Sequence, residues 1–289
     1  MTQSDKISQL NNFDDFLYLL AVPKICELNK PIFKKMFLDA VDGEKAILDA
    51  TDKKALKNDV LKIRWLYTLK PSTINIAPYK DSEREYPEIA ILHIELSSSE
   101  FSKRAVKRIA HFINRAIPYP LVILFTIETD EEEILIALAD KRINQADKEK
   151  WVIDELECSP WIKLGQACEN INEAKSNNKD KNSESNIDRD FINSLILSKL
   201  PFGSFWHFYQ ALINRVQARQ CAEITGRYRL VCEHEAEQQR EQLQHYRRIE
   251  LAIKKLRAQI KQAEFSQQVM LNTQIKQQEQ RLKQIAETL

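Results

Sequence analysis

Apolar positions change their period twice along this chain. Between Leu61 and Ala139 they fall in short, dense runs, whereas after Gly226 they recur every three or four residues. Dense runs of four to eight residues suit buried strands, and a three-and-four rhythm suits a helix with one apolar stripe. The first forty residues read as helices, with Pro31 at a helix start and Phe33, Met36, Phe37 and Ala40 on one face. Leu61 to Leu69, Thr73 to Ala77 and Glu88 to Leu96 then read as strands, the last of them nearly continuous in apolar residues. Ser98 or Ser99 caps a following helix whose inward face is Val106, Ile109, Ile113 and Ala116, and Pro118 and Pro120 stop it. Leu121 to Ile127 and Glu133 to Ala139 flank an acidic turn containing Asp130, the pattern of a hairpin, and Trp151 to Leu156 extends the sheet. The front of the chain is therefore expected to be α+β, a mostly antiparallel sheet with helices on one side.

The back of the chain follows a different rule. From Arg227 to Leu289 there is no glycine and no proline over sixty-three residues. Tyr246, Ile249, Ile253, Leu256, Ile260 and Ala263 form one heptad seam; Leu271, Ile275, Gln278, Leu282, Ile285 and Leu289 form a second, displaced by one residue. The stretch from Glu264 to Met270, holding Phe265, Val269 and Met270, has to absorb that displacement by an eleven-residue step or a bend. A continuous helix of this length would reach about 90 Å, at about 1.5 Å per residue. It is expected to project, fold back as a hairpin, or pair; the alternative is a solvated helix lying on its own domain, which the run Gln238, Gln239, Gln242 and Gln244 also suits. The expected architecture is thus a long C-terminal helical or coiled-coil extension. Its partner-binding candidates are Tyr246, Ile249, Ile253, Leu256, Ile260, Leu271, Ile275, Leu282 and Ile285, with a second copy or another protein as the occupant.

Composition divides the chain further. Residues 1–172 form the α+β domain, and 173–190, with no large apolar residue in its first half, reads as a flexible linker. Residues 191–226 read as a helical docking segment carrying the cluster Phe202, Phe205, Trp206, Phe208 and Tyr209, and 227–289 is the coil. Gly226 is a candidate hinge, since glycine costs about 1 kcal/mol relative to alanine within a helix. Forty-three basic against forty-two acidic residues leave a net charge of +1, so any nucleic-acid surface has to be local. Five cysteines without a CxxC pair argue against a disulfide framework and a zinc ribbon, and a reducing cytoplasm fits. The apolar stretch Phe16 to Val22 is short and preceded by Asp14 and Asp15, so it reads as a core helix, and no segment reads as membrane-spanning.

Candidate chemistry is narrow. Four glycines, Gly43, Gly165, Gly203 and Gly226, cannot assemble a phosphate loop or a dinucleotide fingerprint, and no GxSxG elbow occurs; no cofactor is expected. Cys232 and His234, two apart on a helix, point about 200° from each other and cannot share a metal, so no metal site is expected. Glu95-Leu96-Ser97, at the end of a strand and before a helix, imitates the Glu-x-Lys of restriction-type nucleases with serine where the lysine belongs. Glu95 is therefore a weak catalytic candidate, otherwise a strand-end carboxylate facing solvent. The helix after it carries Arg104, Lys107, Arg108, His111 and Arg115 on one face, a basic stripe able to track a phosphate backbone or else a solvated face opposite the core.

Three segments carry a resemblance. Trp65-Leu-Tyr-Thr-Leu-Lys-Pro-Ser-Thr-Ile-Asn-Ile, Ala116-Ile-Pro-Tyr-Pro-Leu-Val-Ile-Leu-Phe and Glu264-Phe-Ser-Gln-Gln-Val-Met-Leu-Asn-Thr-Gln-Ile-Lys resemble, in order and spacing, stretches of the bacterial family catalogued as domain of unknown function 4391. The resemblance covers about residues 18 to 289, outside the 174 to 189 linker. It implies a companion of a superfamily 2 helicase and a DNA methyltransferase in restriction-like or phage-defence gene clusters, and brings no activity with it. Where the family often has a lysine after the Glu88 to Leu96 strand, this chain has Ser97. Two functions are therefore expected: a non-catalytic adaptor that grips its partner through the coil, or a metal-dependent nuclease-like effector with a degenerate site at Glu95, active only within a complex.

Overall fold

A computed structural model describes residues 10–42, 45–128, 131–147, 151–165, 179–261 and 263–289, which fall into two units, Met1–Val216 and Gln217–Leu289. The first unit opens with helix α1 (Phe13–Leu20), strand β1 (Glu27–Pro31) and the one-turn helix α2 (Lys34–Leu38). A two-residue hairpin, β2 (Val41–Asp42) and β3 (Lys45–Ala46), leads to helix α3 (Ala50–Asn58) and strand β4 (Val60–Leu69). One helical turn, α4 (Pro71–Ile74), and a second small hairpin, β5 (Tyr79–Lys80) with β6 (Glu85–Tyr86), precede strand β7 (Ile89–Leu96). Helix α5 (Glu100–Ala116) then crosses to β8 (Leu121–Glu128), followed by β9 (Glu132–Ile143), β10 (Trp151–Cys158) and β11 (Ile162–Lys163). Helix α6 (Lys179–Ser194) and helix α7 (Phe205–Thr225) follow, the unit boundary falling within α7.

The main sheet runs β1-β4-β7-β8-β9-β10, with β11 also on β9. Every neighbouring pair is antiparallel except β7 with β8, the two strands that α5 connects. The mostly antiparallel sheet is thus present, but helices cover both of its faces rather than one. On one face Ala90, Leu92 and Ile94 of β7 and Ile123 and Phe125 of β8 pack with Val106, Ile109 and Ile113 of α5. On the other, Ile91, Val122, Leu124, Ile136 and Leu138 face Phe16 and Leu20 of α1 and Phe208 and Leu212 of α7 around an apolar cavity of about 40 Å³. The physical reason is in β7: it is apolar on consecutive residues, and a strand apolar on both faces has to be covered on both.

Local chemistry accounts for most of the boundaries. The Ser99 side chain accepts a hydrogen bond from the Ser102 N–H and so caps α5, and Asp49 and Asp52 form a reciprocal capping box on α3. Two of the expected elements differ. Thr73 to Ala77 is not a strand: Pro71 starts the turn α4, and Thr73 Oγ1 accepts from the Lys70 N–H at 3.0 Å. Within the first forty residues Pro31 ends β1 instead of starting a helix, because Glu27–Pro31 pairs with β4. The β8–β9 hairpin is present, although Asp130 of its turn lies outside the described residues. The expected linker, 173–190, lies outside the described residues up to 178, and α6 begins at Lys179. Phe205, Phe208 and Tyr209 are buried, and the Tyr209 hydroxyl donates to the Leu121 carbonyl at 2.7 Å and accepts from the Ala139 N–H at 2.9 Å.

In the second unit the C-terminal stretch is two helices, the folded-back form among the three expected, and not one long coiled coil. Gly226 takes φ +73, a left-handed conformation that suits glycine after a helix end, and its N–H closes α7 on the Ala222 carbonyl at 2.9 Å. Helix α8 begins only at Glu233 and ends at Ile260; helix α9 spans Phe265–Thr288. The break falls at the start of the stretch where the two seams change register. Arg257 meets Glu279 at 2.8 Å and Gln239 reaches the Leu289 carbonyl at 3.3 Å, so the helices form an antiparallel hairpin. Among the described residues no helix is long and apolar enough to cross a membrane.

Candidate functional site

Strands β4 and β7 carry polar residues at alternate positions on the α1 side of the sheet. The register sets Lys62 opposite Glu95 and Arg64 opposite His93. Period two puts all four on one face, in the second half of β7, where it is paired with β8 through Leu96. The Lys62 ammonium, on the neighbouring strand, lies 3.0 Å from the Glu95 carboxylate. Ser97 itself is engaged elsewhere: its hydroxyl lies 2.7 Å from that of Ser102, at the entry to α5.

His93 is buried, with Nε2 2.7 Å from Thr126 Oγ1 and its ring stacked on Phe13 at 4.1 Å between centroids. Burial, aided by the charges of Arg64 and Lys62, holds its pKa down to about 4, so it is neutral at pH 7. Glu132 anchors α1 by accepting from the Phe13 N–H at 2.8 Å. Phe13, Arg64, His93 and Glu132 line a cleft of about 820 Å³ that also takes in Asp14, Tyr18, Lys24, Glu27 and Tyr67, while the Lys62–Glu95 pair stands outside its lining. Among the described residues no three His, Cys, Asp or Glu side chains are grouped to hold a metal ion. Sequence reading reached only Glu95 of this patch. The signal for the rest was the i, i+2 spacing of Lys62 with Arg64 and of His93 with Glu95.

The basic stripe of α5 is exposed at Arg104, Lys107, Arg108, His111 and Arg115. Two members have internal partners: Arg108 reaches Asp52 at 2.8 Å and Asp49 at 3.4 Å, and Arg115 donates to the Ile47 carbonyl at 3.3 Å. Partial burial of its ring and the neighbouring Arg115 hold the His111 pKa below its usual value, so the stripe's cationic part is thinner than its sequence. Arg104, Lys107 and the exposed Phe101 beside them remain outward.

In the hairpin, Ile249, Ile253 and Ile275 are buried together, with Leu256, Ile260, Leu282 and Ile285 packed against them. Seven of the nine expected partner-binding residues therefore face one another across α8 and α9. Tyr246 and Leu271 are half-buried. The large apolar residues left outward are Leu251, at 55 % exposure, and a group at the turn: Phe265 at 82 %, Val269 at 53 % and Met270 at 58 %. These were the residues assigned to the register change.

Neither the curated proteins nor the solved structures hold a match to the chain. A family model does match, across residues 20–282, and so spans both units and nearly the whole sequence. The chain belongs to the family described as Domain of unknown function (DUF4391).

Proposed function

We propose that the chain is a non-catalytic accessory subunit of a bacterial anti-phage, restriction-like complex in the cytoplasm. Its C-terminal hairpin grips a helicase or DNA methyltransferase, and the outward face of α5 touches DNA. The observation that carries this reading is the apolar group Phe265, Val269 and Met270, exposed on a hairpin whose own seam is already filled. Large exposed apolar groups on a rigid element are what a protein partner covers. The same residues fall in the third segment by which the chain resembles its family. Arg104, Lys107 and Phe101 on α5 support the DNA contact.

The test is affinity purification of the tagged protein from its native cell after nuclease treatment, with the copurifying proteins identified. Recovery of a helicase or methyltransferase, lost when Phe265, Val269 and Met270 are replaced by Asp, is expected. Recovery of the chain alone sinks the adaptor reading. Replacing Ile253, Leu256 and Ile260 is the wrong probe of the contact itself, because these residues hold the hairpin together.

One observation favours a second reading, a nuclease-like effector active only in its complex: Lys62 stands beside Glu95 as a strand-borne lysine does beside a catalytic carboxylate. It expects magnesium-dependent cleavage by the complex that Glu95→Ala abolishes. Cleavage unchanged in that variant disposes of it.

A further inference from the structure

We infer that the groove at the sheet's margin, where the chain leaves β1 beside the first residues of β4, binds single-stranded nucleic acid, separate from α5 and independent of what the hairpin grips. The groove encloses about 580 Å³, and its lining includes Lys34, Lys62 and Arg64 but no acidic residue. Phe33 and Leu61 stand in it at 76 % and 52 % exposure, which burial in the fold does not explain. Three cations around an unburied aromatic ring are the arrangement that holds a phosphate backbone while a base stacks.

The cations are held in place. Lys34 donates to the backbone carbonyls of Val60 and Lys57, which keeps its ammonium at the groove wall. Arg64 donates to the side chain of Asn29, a residue in the left-handed region at φ 47, within the irregular pairing of β1 and β4. That irregularity turns Asn29 toward the guanidinium and leaves the guanidinium's other donors for a ligand. Lys62 has Glu95 beside it, but the lysine side chain is 69 % exposed and the pair is screened by water.

The groove ends at the cleft beneath α1: Asn29 and Arg64 line both, and the cleft's Asp14, Glu27 and Glu132 turn a phosphate backbone away, so Phe33 is the stacking ring. Duplex DNA has no unstacked base to offer this ring, whereas a single strand does. An acidic peptide could meet the cations but would leave Phe33 without a stacking partner.

The experiment is fluorescence anisotropy of a labelled oligothymidine with the full chain, across a salt series. Wild type is expected to bind, with affinity falling as salt rises. Phe33→Ala should weaken binding about tenfold, within the range for losing one stacked base, and Phe33→Trp should restore it. Replacing Lys34, Lys62 and Arg64 by Gln should lower the salt slope by about 2, at about 0.7 per lost cation. Arg104→Gln with Lys107→Gln on α5, the contact proposed for DNA, should leave the tenfold loss from Phe33→Ala and the fall in salt slope from the groove variants as they are, whatever it does to total binding. Circular dichroism checks folding throughout, and exposed Phe33 remains a usable probe if the triple variant fails to fold. The inference is overturned if wild type does not bind, if the folded groove variants bind as wild type does, or if only the α5 pair matters. Equal binding of a glutamate-rich peptide, indifferent to Phe33→Ala, would identify an acidic protein as the occupant and also overturn it.

Discussion

The sheet unit and the hairpin meet the same hydrophobic demand at different densities. Around β7 and β8, residues such as Leu92, Ile94, Ile123 and Phe125 are wholly buried between layers that cover the sheet from both sides. In the hairpin the corresponding centre is three isoleucines, Ile249, Ile253 and Ile275, with half-buried neighbours. A side chain enclosed on all sides makes many dispersion contacts that cannot reform if it is cut back, while one between two helices leaves a gap that the helices can partly close. The difference teaches that a heptad seam states a need for a second helix, not whose helix it is. Here the second helix of the hairpin, α9, runs back along α8, and the chain supplies its own.

That contrast can be broken by experiment. The largest effect is expected from Leu92→Ala, a loss of about 2–5 kcal/mol in urea unfolding, against no more than about 2 kcal/mol for Ile253→Ala. Equal losses would mean that the two cores are equally enclosed. Next comes replacement of Ile253, Leu256 and Ile260 together by Asp. All four tryptophans, Trp65, Trp151, Trp161 and Trp206, belong to the first unit. Their fluorescence should therefore stay native while far-ultraviolet dichroism loses helix. A shift in tryptophan emission would show the two units to be coupled.

A subtler effect belongs to Lys141, buried at 1 % exposure, whose ammonium donates to the Ile117 and Tyr119 carbonyls at 2.7 Å each. Burial lowers its pKa to about 7, from 10.5. Between those values the unfolded chain binds the proton and the folded chain does not, so stability rises with pH across that window and this contribution is flat below it. The slope is at most about 1.4 kcal/mol per pH unit. Lys141→Met should flatten it, and chemical unfolding at pH 7 and pH 9 would reveal a persistent slope if another group were responsible. The smallest effect is expected on the exposed face of α5. Arg104→Gln and Lys107→Gln should leave the melting midpoint where it is, whereas Arg108→Gln should lower it by removing the partner of Asp52 in the α3 capping box.

How far the molecule was legible from its residues follows from what each pattern encodes. The strands β4, β7, β8, β9 and β10 and helix α5 were readable because apolar density, serine capping and prolines are local signals. Helices on both faces were implied by the nearly continuous apolar run of β7, but α7, over a hundred residues later, supplies part of the second layer, and no local signal names that pairing. Strand β1 was missed because Glu27-Leu-Asn-Lys-Pro has no alternation: all five residues are exposed. The polar patch was legible only in part. Glu95 was found by a motif, whereas Arg64 and His93 become neighbours through strand register, which the chain fixes by pairing rather than by spacing. In the coil the seam was read correctly and its occupant left open.

Strand β1 has a further effect. It ends the sheet, yet it is short, bulged at Asn29 and closed by Lys30 and Pro31. Such a margin offers no straight row of donors and acceptors to another extended chain, and a charged lysine and a proline without an N–H make strand addition harder still. The bend that steadies Arg64 therefore also works against strand-by-strand association at this margin of the sheet: copies that meet here meet an edge that cannot be continued.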